Sequence, residues 1–109
     1  TVGGMKVTEP AADLAIFLAL ASSKSNRAVP TGTVAIGEVG LTGEVRRVPS
    51  TARRVAEAKR LGFTHAVVPA GTDEEMPRGI RVTKVTNLAE AGAATGTAIR
   101  ESQDEPAPF

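Results

Sequence analysis

The segment "GEVGLTGEVRRVPSTARRVAEAKRLGF", residues 37–63, decides the fold. Two runs rich in valine flank a short, glycine-punctuated turn, and this pattern predicts two strands joined as a hairpin. Ser50 then stands where the N-cap of a helix is expected, and Gly62 stands where that helix should end. The segment therefore predicts a strand, a turn, a second strand and a helix over residues 50–61.

Four arginines crowd the junction between the second strand and this helix: Arg46, Arg47, Arg53 and Arg54. Free N–H groups at a helix N-terminus attract anions, and nearby guanidinium groups strengthen a phosphate site. The arginines of the helix also oppose its dipole, at a cost of about 1 kcal/mol or less. Such a local cost is expected where function constrains the sequence.

The arginine cluster leaves three interpretations open. It contacts nucleic-acid phosphates, it forms an interface with another subunit, or it is a solvated surface paired with neighbouring glutamates. Arg46 and Arg47 are consecutive residues of a strand, so their side chains point to opposite faces. At most one of them can share a surface directly with the helix arginines.

Composition limits the chemistry. A chain of 109 residues with 41% hydrophobic and 23% charged residues is typical of one small globular domain. It contains no Cys and one His, which excludes thiolate chemistry and argues against a zinc site. The net charge of +1 indicates no partner by itself. The longest apolar run is too short for a bilayer, so no membrane contact and a cytoplasmic location are the default expectations.

The first helix is predicted within "TEPAADLAIFLALASSKSNR", residues 8–27, with Thr8 as its N-cap. Between residues 11 and 21 only Asp13 is polar, so this helix is apolar around its whole circumference. A helix of this kind is buried on more than one side. Either it is the central core helix of the domain, or another subunit covers part of it.

The rest of the chain predicts two further strands, residues 64–70 and 80–85, and a short helix capped by Asn87. The domain is predicted to span residues 1–91, and residues 92–109 are predicted to be a flexible tail. His65 is predicted to be a half-exposed strand residue. The acidic loop with Asp73, Glu74 and Glu75 lacks the ligand spacing of a calcium site and is predicted to be solvated.

Residues 37–69, together with "VGGMKVTEPAADLAIFLAL" at residues 2–20, resemble the C-terminal Lon-protease-like domain of bacterial RadA (Sms) DNA repair proteins. The resemblance covers residues 1–91. It implies an α/β (α+β) fold of the ribosomal protein S5 domain 2-like type, with one mixed sheet and packed helices. It also implies that the domain begins with further strands upstream of residue 1.

The same resemblance implies that peptidase chemistry is missing. An active Lon domain carries a nucleophilic Ser at the start of the first helix and a Lys base in the helix after the hairpin. Ala11 stands at the position of the Ser, and Ala52 stands at the position of the Lys. A methyl group supplies neither a nucleophile nor a base. No catalytic residue, cofactor site or metal site is therefore expected in this chain.

The function that the resemblance implies is that of a non-catalytic domain in a DNA recombination and repair ATPase that drives branch migration. Such a domain helps to hold a homo-oligomer, which in the family is a hexamer, and contacts DNA without sequence specificity. ATP, magnesium and zinc are expected only in domains N-terminal to this one. The alternative is a degenerate peptidase domain that binds peptides or protein partners without hydrolysis.

Overall fold

The computed structural model describes residues 9–97. The strand that "TVGGMKV" predicts at residues 1–7 lies outside the described residues, as do the Thr8 cap and the last twelve residues. A 3-10 turn at Pro10–Ala12 leads into the first helix. The helices are α1 (Asp13–Ser25), α2 (Thr51–Arg60) and α3 (Leu88–Thr95); the strands are β1 (Thr33–Ala35), β2 (Glu38–Val39), β3 (Val45–Arg46), β4 (His65–Pro69) and β5 (Arg81–Val85). This is a small mixed α/β domain.

The described strands form two sheets rather than the single mixed sheet that was expected. A parallel sheet has the order β1-β4-β5, and β2 and β3 form a separate antiparallel pair. The sequence "GTVAIGEVG", residues 32–40, predicts one strand, which the structure breaks at Ile36 and Gly37. The amide of Gly37 donates to the carbonyl of Ala11, and the carbonyl of Gly37 accepts from the amide of Leu14, both at 3.0 Å. Because these groups bond to the start of α1, β1 and β2 cannot run on as one strand.

The core lies on both faces of the parallel sheet. Ala66 and Val68 of β4 pack in one cluster with Val55 of α2. The intervening Val67 packs in the other cluster with Leu14 of α1 and with residues of α3. Successive residues of a strand point to opposite faces, so α2 covers one face while α1 and α3 cover the other. All five residues of β4 are buried, as expected for the middle strand of a covered sheet.

Helix α1 is less buried than its sequence predicts. Leu14 and Leu18 are fully buried, but the side chains of Ile16 and Leu20 are 52% and 65% exposed. Among residues 9–97, no other element covers the side of α1 that carries these two residues. The expectation that this helix is largely buried is therefore wrong for the single chain.

Two helix ends that were predicted from local sequence signals are confirmed. The amide of Gly62 donates to the carbonyl of Lys59, and the amide of Phe63 donates to the carbonyl of Ala58, both at 3.0 Å. Gly62 has a φ of +102°. This is a Schellman motif, so the predicted stop of α2 is confirmed. Asn87 accepts from the amide of Glu90, as the predicted cap of α3 should.

The domain extends past the boundary predicted at residue 91. Helix α3 continues to Thr95, and Gly96 ends it in the left-handed conformation. Thr95 and Thr97 are buried, and their hydroxyl groups lie 2.9 Å apart. Residues 92–97 are thus part of the folded unit and not of a tail. Across the described part of the chain, no helix has the length and apolar character needed to cross a bilayer.

Candidate nucleic-acid interface

The start of α2, where the arginines converge in the sequence, is capped by a residue from a distant loop. Ser50 is in the left-handed conformation and makes no side-chain cap. Instead, the carboxylate of Glu74 accepts hydrogen bonds from the amides of Thr51, at 3.1 Å, and Ala52, at 2.9 Å. Ser50 therefore occupies the predicted N-cap position of α2, but its side chain does not cap the helix. The prediction that Glu74 is merely solvated is wrong.

This cap changes what the helix N-terminus can bind. The first amides of α2 are the groups that an external phosphate would use. They already bond to an internal carboxylate, which also compensates the positive end of the helix dipole. An anion that approaches this junction therefore meets guanidinium side chains rather than free amide groups.

Arg46 belongs to the hairpin formed by β2 and β3. Its guanidinium group donates to the carboxylate of Glu44 through Nε at 3.1 Å and through a terminal nitrogen at 2.7 Å. The hydroxyl of Thr42 donates to the same carboxylate at 2.5 Å. These hydrogen bonds, from Thr42 first and then Arg46, lower the pKa of Glu44 to about 2. Glu44 is therefore ionised at neutral pH and partly neutralises Arg46.

Arg47 points towards the acidic loop. Its guanidinium group lies 3.5 Å from the carbonyl oxygen of Gly71 and 3.7 Å from the carboxylate of Asp73. It shares a cleft of about 280 Å³ with Thr72, Asp73 and Glu74. Both partners of the ion pair are well exposed, so it contributes little to stability. Arg47 lies beside the α2 cap but faces carboxylates.

Arg53 and Arg54 lie in the first turn of α2 and line an open cleft together with Ser50 and Glu57. Arg54 donates from Nε to the carbonyl of Pro49 at 3.0 Å, and its terminal nitrogen lies 3.6 Å from the carboxylate of Glu9. Within residues 9–97, Arg53 is exposed and has no hydrogen bond or ion pair to another side chain.

The four arginines therefore do not form one patch. The structure brings Arg53 and Arg54 together on α2, holds Arg46 on the hairpin by Glu44, and turns Arg47 to the acidic loop. Glu74 is the residue at this junction that sequence reasoning missed. The sole local signal was a helix start with no acidic residue in its first turn, which left the helix dipole uncompensated.

The two alanines at the protease-like positions lie in different settings. Ala11 is in the 3-10 turn before α1 and is buried. It lines an apolar groove of about 280 Å³ between this turn, β1 and α2. Ala52 is in the first turn of α2, where its amide donates to Glu74. Neither side chain carries a group that can react.

His65 is buried on β4, contrary to the half-exposed position that was predicted. A terminal nitrogen of Arg81 donates to Nδ1 of the imidazole at 3.2 Å, and Nε2 lies 2.7 Å from the hydroxyl of Thr83. Burial first, and then the charge of Arg81, lower the pKa of His65 below its usual value of 6.5. The imidazole is neutral and fully engaged, so it has a structural role.

The chain is similar to proteins named DNA repair protein RadA. It is 50% identical to that of Mycobacterium tuberculosis over 91 residues, 52% identical to that of Mycolicibacterium smegmatis and 47% identical to that of Escherichia coli. The matches cover 83–84% of this chain but about one fifth of the length of those relatives.

A family model described as subunit ChlI of Mg-chelatase matches residues 3–72, which include α1, the hairpin, α2 and β4. These residues are more than half of the chain. The chain therefore belongs to the family described as subunit ChlI of Mg-chelatase.

Proposed function

We propose that this chain is the non-catalytic, Lon-protease-like domain of a RadA-type DNA repair protein, and that it serves as an assembly scaffold and a DNA-backbone contact. The observation that carries the proposal is the identity of 47–52% to RadA proteins over 91 residues. That match extends beyond the residues covered by the family model, so it favours a role in DNA repair and recombination over that of a chelatase subunit.

The proposal includes the absence of hydrolysis. Ala11 and Ala52 stand where the resemblance implies a nucleophile and a base, and neither carries a reactive group. The single histidine is bonded to Arg81 and Thr83, so it is not free to activate a hydroxyl group. We expect no cleavage of casein or of small peptides. Labelling of any serine by a serine-directed covalent inhibitor would contradict this.

The DNA contact is made through side chains. Arg53 and Arg54 line one open cleft, and Arg53 has no carboxylate partner within residues 9–97. Guanidinium groups bind phosphates through charge-assisted hydrogen bonds, which give affinity without sequence specificity. Arg46, Arg47 and Arg54 contribute less than Arg53 in this arrangement, because each of them already faces a carboxylate.

The scaffold role is supported by the open side of α1. Ile16 and Leu20 expose more than half of their side chains on a helix that is apolar all round. Burial of such residues against another subunit is the usual use of an apolar surface of this kind. The resemblance implies that the chain is part of a longer protein, and that this longer protein forms a homo-oligomer, which in the family is a hexamer. ATP, magnesium and zinc act in its other domains, and it drives branch migration.

A second candidate function is supported by the groove beside Ala11. This groove is lined mainly by apolar side chains and lies next to the position at which a peptidase would carry its nucleophile. A degenerate peptidase domain would hold a peptide there without cleaving it.

One experiment separates the candidates. The chain is analysed by size-exclusion chromatography with light scattering, alone, with a DNA oligonucleotide of arbitrary sequence, and with a mixture of unstructured peptides. The proposal predicts a DNA complex that dissociates as salt rises, formed by a chain that is monomeric or dimeric on its own. Peptide binding without DNA binding would support the degenerate peptidase. A monomer that binds nothing would contradict both.

A further inference from the structure

The cleft between the start of α2 and the loop after β4 gathers several groups that bind anions. Its volume is about 280 Å³, and it is lined by Arg47, Val48, Pro49, Thr72, Asp73 and Glu74. The carboxylate of Glu74 bonds to the amides of Thr51 and Ala52, so the first amides of α2 lie beside the cleft.

Thr72 brings an unpartnered hydroxyl group to the wall of this cleft. The residue is 4% exposed, and its hydroxyl oxygen is buried and has no hydrogen-bond partner within residues 9–97. Its backbone is fully engaged, because the amide donates to the carbonyl of Pro69 at 3.0 Å and the carbonyl accepts from Nζ of Lys84 at 3.1 Å. A buried polar atom without a partner is costly, and a ligand that supplies the missing hydrogen bond removes that cost.

Arg47 is held only loosely on the same cleft. Its guanidinium group lies 3.5 Å from the carbonyl oxygen of Gly71 and 3.7 Å from the carboxylate of Asp73. Both distances exceed those of a good charge-assisted hydrogen bond. The side chains of Arg47 and Asp73 are 63% and 85% exposed, so their separation costs little.

Two consecutive carboxylates of the loop occupy the positions of an external anion. Glu74 accepts from the amides at the start of α2, and Asp73 lies beside the guanidinium group of Arg47. Helix amides and guanidinium groups are also the groups that bind phosphate. The cleft therefore already holds an anion, which the chain itself supplies, and a phosphate has to displace it.

This cleft adjoins the one that carries the proposed DNA contact. Pro49 lines the first cleft, and the next residue, Ser50, lines the second together with Arg53 and Arg54. A DNA backbone carries a phosphate at every nucleotide, so a strand bound at the arginines of α2 brings further phosphates to this junction.

We propose that the cleft is a second phosphate-binding site of the DNA contact, and that Asp73 and Glu74 close it until DNA displaces them. The inference rests on the proposed DNA contact. The phosphate oxygens accept hydrogen bonds from the amides at the start of α2, from Arg47 and from the hydroxyl of Thr72. The displaced carboxylates turn to solvent, so the loop limits the affinity for DNA.

Removal of the Glu74 side chain opens the site. Glu75→Ala is the matched control, because Glu75 is the next residue of the loop, is exposed and makes no hydrogen bond or ion pair within residues 9–97. Binding of a labelled DNA duplex of arbitrary sequence is followed by fluorescence anisotropy as salt is varied. We expect Glu74→Ala to bind about tenfold more tightly than the control, with a salt slope steeper by about 1. Addition of Arg47→Ala to Glu74→Ala should remove most of this gain.

Urea denaturation in phosphate and in chloride, at equal ionic strength, gives a readout without DNA. Phosphate should stabilise Glu74→Ala more than it stabilises Glu75→Ala, because it replaces the lost cap in addition to its general effect on folded proteins. If Glu74→Ala does not fold, Glu74→Gln takes its place, with Glu75→Gln as its control.

Equal DNA affinity and an equal response to phosphate in Glu74→Ala and Glu75→Ala would overturn the second site. The contact of Arg53 and Arg54 would still stand if the unchanged chain binds DNA. A response to phosphate without tighter DNA binding would show a site for free phosphate only, and would also overturn the proposal, as would a gain in DNA affinity that Arg47→Ala leaves unchanged. If no variant binds DNA, this inference and the DNA contact are both overturned.

Discussion

Replacement of Glu74 tests the main feature of the α2 junction. The carboxylate accepts two amide hydrogen bonds, at 2.9 and 3.1 Å. Loss of a helix cap costs about 0.5–2 kcal/mol, and loss of a negative charge at the positive end of a helix costs about 0.3–1 kcal/mol. Because Glu74 is half-buried, we expect Glu74→Ala to lower the free energy of unfolding by about 1.5 kcal/mol.

Urea denaturation followed by circular dichroism measures this loss. With an m-value of about 1–3 kcal/mol/M, the midpoint should fall by roughly 1 M. Glu74→Gln keeps an oxygen acceptor but no charge, so it should lower the free energy of unfolding by about half as much as Glu74→Ala does. High salt should narrow the difference between Glu74→Gln and the unchanged chain, because salt screens the interaction with the dipole.

Glu75→Ala is the matched control. Glu75 is the next residue of the same loop, is exposed and makes no hydrogen bond or ion pair within residues 9–97. Its replacement should change the free energy of unfolding by less than about 0.5 kcal/mol. If Glu74→Ala were as stable as Glu75→Ala, the carboxylate of Glu74 would not cap α2. The first amides of α2 would then be free to bind an external phosphate.

Three further predictions concern the fold. The pKa of His65 is depressed in the folded state, so folding favours its neutral form. The stability that this contributes is fully present above pH 6.5 and is lost as the pH falls below that value. Urea denaturation at about pH 7.5 and about pH 5.5 should show this loss in the unchanged chain and not in His65→Gln. Gly62→Ala should cost about 1 kcal/mol in urea denaturation, because Gly62 has φ +102° while the space for a methyl group is open. Leu18→Ala should cost about 2–5 kcal/mol, since Leu18 is 2% exposed, and a loss below about 1 kcal/mol would contradict its place in the core.

Local signals predicted much of this fold. Gly62 and Asn87 act on groups within a few residues of themselves, and both helix ends were predicted correctly. The hairpin was also predicted, since its glycines lie within the turn that they form. Such local signals predict structure well because their hydrogen-bond partners are close in the sequence and do not depend on tertiary contacts.

Features that depend on distant residues were missed. Glu74 caps α2 from 22 residues away along the chain, so no pattern near Ser50 could indicate it. Gly37 ends β1 because its backbone bonds to Ala11 and Leu14, which lie before the first strand. His65 lies on the buried middle strand, and its polar atoms bond to Arg81 and Thr83, which are 16 and 18 residues further along the chain.

The candidate site was predicted in part. The sequence identified the arginines and their position near a helix start, and the structure brings Arg53 and Arg54 into one cleft. It could not show that Arg46 and Arg47 would each face a carboxylate, because Glu44 and Asp73 reach them only through side-chain geometry. The oligomer, the DNA contact and the absence of hydrolysis stay predictions.

The most direct test of the account is the salt dependence of DNA affinity for Arg53→Ala/Arg54→Ala. The control is Lys24→Ala/Arg78→Ala, which removes the same charge from two exposed positions that do not line the cleft. We expect the first variant to lose affinity equally for all DNA sequences and its salt slope to fall by up to about 2, while the affinity of the control changes little. Unchanged affinity with loss of self-association in the first variant would show that this pair is a subunit interface, and would contradict the DNA contact.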